Sequence, residues 1–200
     1  MRLLEEIDPG IGNHLYRFAS ELYPICRSIT GDGVRQTLAG IQSRIPLQIS
    51  EVPTGTQVFD WNVPREWNIR DAYIKDAAGN RVVDFQACNL HVLNYSSPVR
   101  KVMSLQEIRP HLFTIPERPE WVPYRTSYYR EDWGFCLSHN QMQALTDGNY
   151  EVCIDSTLTQ GHLTYGECLE IVVKRYERAG RTFRESTGIE NWKTTFFNKG

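Results

Sequence analysis

The sequence has no apolar run near the roughly 20 residues that a membrane-spanning helix needs. It has no excess of charge of either sign, with 22 Lys and Arg against 24 Asp and Glu and a net charge of −2. A nucleic-acid binder usually carries a basic face, so the balance argues against that class. Cysteine is sparse: Cys26, Cys88, Cys136, Cys153 and Cys168 stand far apart, with no CxxC and no zinc-finger spacing. They are expected to be reduced and mostly buried. The five histidines (His14, His91, His111, His139 and His162) make no HxH and no HExxH, and none follows His162. There is no GxSxG elbow for a serine hydrolase. The start, Met1-Arg2-Leu3-Leu4-Glu5-Glu6, puts acids where a signal peptide has its apolar stretch, so a cytoplasmic protein is expected.

What is present is ordinary globular composition, 40% hydrophobic and 23% charged, enough for a real core. Leu15, Phe18, Ala19 and Leu22 fall on one helical face, and Pro24 stops that helix. Val34, Leu38, Ile41 and Ile45 predict a second helix ended by Pro46. Thr30 or Asp32 can cap it by accepting from a free backbone N–H. From about residue 47 the period becomes two. Leu47/Ile49, Phe59/Trp61/Val63, Ile69–Lys75, Arg81–Phe85, Leu90–Tyr95, Tyr128–Leu137, Tyr150/Val152/Ile154 and His162–Glu167 read as strands. Gly79 and Asn80 are expected to supply positive φ in a hairpin loop. Ser104–Glu107 is a capping box, and Ser138 is expected to cap a short helix through Leu145. Pro110, Pro116, Pro119 and Pro123 mark an irregular connection. The chain therefore reads as α+β: two N-terminal helices, then a mostly antiparallel β-rich region.

Two groups stand out chemically. Arg27, Ser28, Thr30 and Asp32 crowd the turn between the helices and could line a cleft. Gly31-Asp32-Gly33 resembles half of a phosphate loop, but it lacks the lysine and reads better as a helix entry. In the segment Tyr124–Phe135, Arg125, Tyr128, Tyr129 and Trp133 combine aromatic area with a cation. That suits a binding surface, but it better suits a β core with local hydrogen bonding. Cys136 and His139, three apart, are weak evidence for a nucleophile and base.

Several long phrases resemble one family. They are Leu22–Arg35, Val58–Ile74, Tyr124–Leu137, Asp155-Ser156 and His162–Glu167. Together they look like the bacterial aminopeptidase-like proteins, a domain-of-unknown-function family related to the zinc exopeptidases, matched here in its N-terminal portion. The resemblance implies helices and a first strand of an α/β zinc-peptidase-like domain over 1–56, and an inserted β-rich domain over 57–165. A divergent tail then covers 166–200. It implies hydrolysis of peptides or small substrates with zinc as cofactor, the ligands lying downstream of the insertion. That His/Cys/Asp-rich segment has no counterpart after Glu167, so no catalytic residue and no metal ligand can be carried over. No cofactor is expected for this chain, and a truncated, inactive form is expected. Basic residues outnumber acidic ones seven to four after Cys168, where acids lead 20 to 15 before it. The shift fits a frameshift or deletion. Exposed helix faces would then favour association. The competing expectation is a non-enzymatic module that binds a peptide, glycan or partner protein through the β-rich region.

Overall fold

A computed structural model describes residues 9–128 and 130–168. They form α1 (Ile11–Leu22), α2 (Asp32–Gln42), β1 (Gln48–Pro53), β2 (Gln57–Val58), β3 (Trp61–Asn62), β4 (Glu66–Lys75) and β5 (Arg81–Asp84). Then come β6 (Val99–Ser104), α3 (Leu105–Ile108), β7 (Leu112–Phe113), β8 (Phe135–Cys136), α4 (His139–Ala144), β9 (Asn149–Thr159) and β10 (His162–Glu167). The fold is mixed helix and sheet, and the sheets are mostly antiparallel.

The described residues fall into two compact units. One comprises 9–22, 38–50 and 166–168; the other comprises Tyr23–Thr37 and Glu51–Tyr165. In the smaller unit the Arg44 guanidinium lies 3.9 Å over the Phe18 ring, and a Cβ on Gly40 would meet Leu22 at 3.5 Å. No residue of α1 is buried, and Leu15 on its apolar face is 60% exposed.

The larger unit is built on a four-stranded antiparallel sheet in the order β5-β4-β9-β6. Tyr150, Val152, Ile154 and Leu158 of β9 alternate towards one face, as the period of two requires. Facing them, β4 offers Trp67 and Ile69, then Ala72 and Ile74. The parity switches because the register slips between Ile69 and Asp71. One extra residue, Arg70, is accommodated as a bulge, which returns the apolar side chains to the core. Val83, Ile108, Phe135 and Leu137 complete that core. The opposite face is a lattice of ion pairs, with Arg70 on Asp155 and Arg81 on Asp71 and Asp84.

Both expected caps form with their reciprocal bonds, Ser104 with Glu107 and Ser138 with Gln141. Other expectations need correction. Phe59 is not in a strand: it sits at φ 54° in the turn between β2 and β3 and is 80% exposed. Leu90–Tyr95 is not a strand, because residues 89–91 wind into a 3₁₀ turn and Tyr95 takes φ 73°. Among the described residues of the aromatic run, only Phe135 and Cys136 are in a strand, paired in parallel with β7. In the β4–β5 loop only Gly79 has positive φ; the Asp76 carboxylate organises the turn by accepting from the backbone of Ala78 and Asn80. Val99–Ser104, unmarked in the sequence reading, is an edge strand. The tail beyond Cys168 lies outside the described residues.

Candidate functional site

The segment Tyr23–Gly33 is folded back on itself by two glycines. A Cβ on Gly33 would stand 2.0 Å from the Cys26 carbonyl oxygen, and one on Gly31 would stand 2.1 Å from that of Trp67. Gly31 also takes φ 87°. The Gly31-Asp32-Gly33 phrase is therefore a close-approach helix entry. Neither expected cap operates at α2. The Thr30 hydroxyl accepts from the Trp67 N–H at 3.0 Å and meets the Tyr95 hydroxyl at 2.5 Å, while the Asp32 carboxylate accepts from Arg35. Instead the Asn68 side-chain oxygen accepts from the Asp32 N–H at 2.7 Å. Arg35 also reaches both oxygens of the mostly buried Glu66 carboxylate, which accepts from the His162 N–H at 3.1 Å. The Arg35 bonds hold Glu66 below the usual carboxylate range.

Two asparagines bind the segment to the 89–94 loop. The Asn89 side-chain amide donates to the Tyr23 carbonyl at 3.1 Å, and that of Asn94 donates to the Arg27 carbonyl at 3.3 Å. Between these walls opens a cleft of about 420 Å³. Ile25, Leu90 and Val92 give it an apolar lining; Tyr23 and Tyr124, both mostly exposed, flank it. Tyr124 and Tyr128 share a hydroxyl–hydroxyl bond of 3.0 Å. Tyr128 packs edge-on to Tyr95 at 4.9 Å, so the tyrosine wall continues into the buried seam around Thr30.

Among the described residues lining this cleft, Arg27 is the only formally charged one. Burial pushes the Cys26 thiol up to about 11, with Arg27 opposing it, so the thiol is neutral at pH 7 and a weak donor. Burial and the Tyr128 bond likewise raise Tyr124. Two buried oxygens in the wall, Ser28 Oγ and Asn94 Oδ1, have no hydrogen-bond partner. Such groups cost about 1–3 kcal/mol each when left unsatisfied. A second hollow of about 610 Å³ shares Ile25, Cys26 and Ser28 with the first and also touches Thr30, Asp32 and Arg70.

The structure thus puts Arg27, Ser28 and Tyr128 in one cleft, and Ser28, Thr30 and Asp32 along the adjoining hollow. Arg125 lies 5.0 Å over the Phe113 ring, and Trp133 stacks on His111 at 3.7 Å. Tyr129 lies outside the described residues. Tyr23, Asn89 and Asn94 line the cleft without any motif that marks them as site residues. The sequence signal for the asparagines is that they bracket the mostly apolar run Leu90-His91-Val92-Leu93. Among the described residues, no group of three or more His, Cys, Asp or Glu is placed to hold a metal ion. No helix among them is long and apolar enough to cross a membrane.

The described residues form a mixed helix-and-sheet fold with an aromatic cleft beside Arg27. Residues 66–157 match the family described as "Domain of unknown function (DUF2172)". Over 170 residues the chain is 55% identical to a Clostridium acetobutylicum protein named "Putative polysaccharide biosynthesis protein with aminopeptidase-like domain". That match takes in 82% of this chain and 39% of the relative. A crystal structure titled "putative peptidase", from the same organism, superposes with a TM-score of 0.75 at 54% identity, over 78% of this chain and 37% of that one. The chain is similar to these aminopeptidase-like proteins and spans about two fifths of the length of the relatives it matches.

Proposed function

We propose that these residues form the peptide-recognition side of a zinc aminopeptidase-like protein, and that they do not hydrolyse peptide bonds on their own. The observation that carries this is the cleft beside Arg27. Its Tyr23–Ser28 side lies within one of the phrases that carry the family resemblance, and Tyr124 and Tyr128, which also line it, come from another. Apolar lining, a few convergent polar groups and orphaned buried oxygens are what small-ligand sites present.

The donor set does not fit zinc. A catalytic zinc takes three protein ligands and an open position. The His–carboxylate approaches among the described residues are His111 to Asp132 and His162 to Glu51, each 3.9 Å, and neither is part of a group of three. No hydrolytic step is assigned to these residues; in the whole protein, hydrolysis would fall to ligands outside them. Under this reading the ligand is a peptide or a small peptide-like substrate. The compartment is the cytoplasm, in keeping with five cysteines that form no disulfide.

The test pairs binding with turnover. The purified chain, supplied with zinc, is expected to bind a dipeptide saturably and to release no product from an aminoacyl p-nitroanilide. Turnover with one zinc per chain would overturn the reading. The non-enzymatic alternative has no observation of its own in its favour.

A further inference from the structure

The sheet of the larger unit ends on one side at β6. β6 pairs with β9 along its whole length, from Val99 opposite Ile154 to Ser104 opposite Asn149. Residues of an antiparallel ladder bond to alternate sides, so every second N–H and C=O of β6 faces outward. Among the described residues no other backbone pairs with this outer row. Only at its end does Glu107, in the capping box, accept from the Ser104 N–H at 2.8 Å. An open row of this kind is a template for another strand.

The side chains of this edge select among strands. Arg100, Lys101 and Val102 are exposed, Val102 to 71%. β6 has no acidic residue, and among the described residues neither Arg100 nor Lys101 is in an ion pair. The neighbours of Arg100 are Cys153 and Tyr73. The carboxylates that feel its charge are held elsewhere. Asp155 accepts from Nε and Nη2 of Arg70, and Glu151 accepts from the Tyr73 hydroxyl at 2.7 Å and lies 3.8 Å from Lys75. Beside the guanidinium a hollow of about 370 Å³, bordered by Pro98, Cys153 and Asp155, leaves room for a long side chain. A second copy is a poor occupant. β6 laid antiparallel on itself doubles the cations on a strand without acids, and like charges across a ladder destabilise it. An acidic strand reverses the sign of that effect.

We propose that β6 is a docking edge for an extended acidic segment of a partner protein. The segment lies along β6 as a further strand of the sheet. Main-chain bonds hold it, and its charges select it. Arg100 and Lys101 are successive residues and point to opposite faces, so two successive acids meet both. In the antiparallel sense the matching phrase is Val-Glu-Glu, with the valine opposite Val102 and the glutamates opposite Lys101 and Arg100. This edge shares no lining residue with the cleft beside Arg27, so it stands or falls apart from the peptide-recognition reading.

The test uses the full chain and a labelled peptide, acetyl-Thr-Thr-Val-Glu-Glu-Thr-amide. A Gln-Gln counterpart and a version N-methylated throughout serve as controls. Fluorescence anisotropy reads affinity, and hydrogen exchange reads where the peptide lies. At low salt the glutamate peptide is expected to bind about three- to tenfold more tightly than the glutamine one, the worth of two exposed ion pairs. It should slow amide exchange across residues 99–104, and the N-methylated version should not bind. Arg100→Gln combined with Lys101→Gln, both at exposed positions, should level the two peptides. Equal affinities in the unaltered chain, or a difference that survives the double substitution, would remove the charge selection and overturn the inference. Binding of the N-methylated version would mean charge attraction without an added strand, and also overturns it. So does no binding, or binding without protection of β6. Protection of β6 that rises with chain concentration in the absence of peptide would make a second copy the occupant, against the proposal.

Discussion

The hydroxyls of Thr30 and Tyr95, 65 positions apart in the chain, meet at 2.5 Å in a buried seam. The Thr30 oxygen also accepts from the Trp67 N–H, and the Tyr95 ring stacks on Trp67 at 5.8 Å. Tyr95 reaches this place with φ 73°, an uncommon conformation for a bulky residue. Three separate parts of the sequence are thus fixed to one another directly behind the cleft wall. Thr30→Val should cost more stability than Tyr95→Phe, about 2–4 against about 1 kcal/mol, because it orphans both the Trp67 N–H and the Tyr95 hydroxyl. Urea unfolding of the two variants measures the difference.

The helix entry should tolerate no side chain at Gly33. A methyl there would overlap the Cys26 carbonyl, which is backbone and cannot swing aside. Gly33→Ala is expected to lose several kcal/mol, or to fail to fold. Gly55→Ala has open space around it and only the strain of φ 86°, about 1 kcal/mol. Thermal unfolding of the pair separates steric overlap from backbone strain.

Acid should weaken the same region through Glu66. Its carboxyl is held below the ordinary value of 4.5, first by the Arg35 hydrogen bonds. A carboxylate with a depressed folded-state pKa adds stability above its unfolded pKa, and that stability is lost as pH falls through the folded value. The wild-type urea midpoint should therefore fall steeply below about pH 4.5. Glu66→Gln, which has no proton to take up there, should start lower at pH 7 and decline less.

Cys26 offers a chemical reporter for the cleft. Because burial raises its thiol to about 11, alkylation by iodoacetamide should be slow at pH 7.5 and should accelerate towards pH 11. A bound dipeptide should slow it further. Peptide mass mapping after timed labelling reads both effects. Fast labelling at neutral pH would mean the wall is open where the structure has it packed.

Much of the scaffold was legible from local chemistry. Ser104 and Ser138 mark where two short helices begin, because each cap rests on contacts three positions apart. The strands β4, β5, β9 and β10 follow from alternation in a half-buried sheet. What was not legible depends on partners distant in sequence. The bulge at Arg70 shows only as a change of parity between Ile69 and Ala72, which pairing with β9 explains. Tyr95 reads as a strand residue until Thr30 and Trp67 are beside it. Asn89 carries no signal and Asn94 reads as part of a strand until their amides are seen holding the backbone of Tyr23 and Arg27. Arg27 and Ser28 were found for their crowded polarity; the tyrosine and asparagine walls opposite them required the fold.

The most direct measurement is dipeptide affinity of the purified chain in excess EDTA, with and without zinc added back. Recognition here is assigned to Arg27, the tyrosines and an apolar lining, none of which needs a metal. An affinity unchanged by EDTA is therefore the expected result. Binding that disappears with EDTA and returns with zinc would contradict it, and would place a metal where the described residues provide no site.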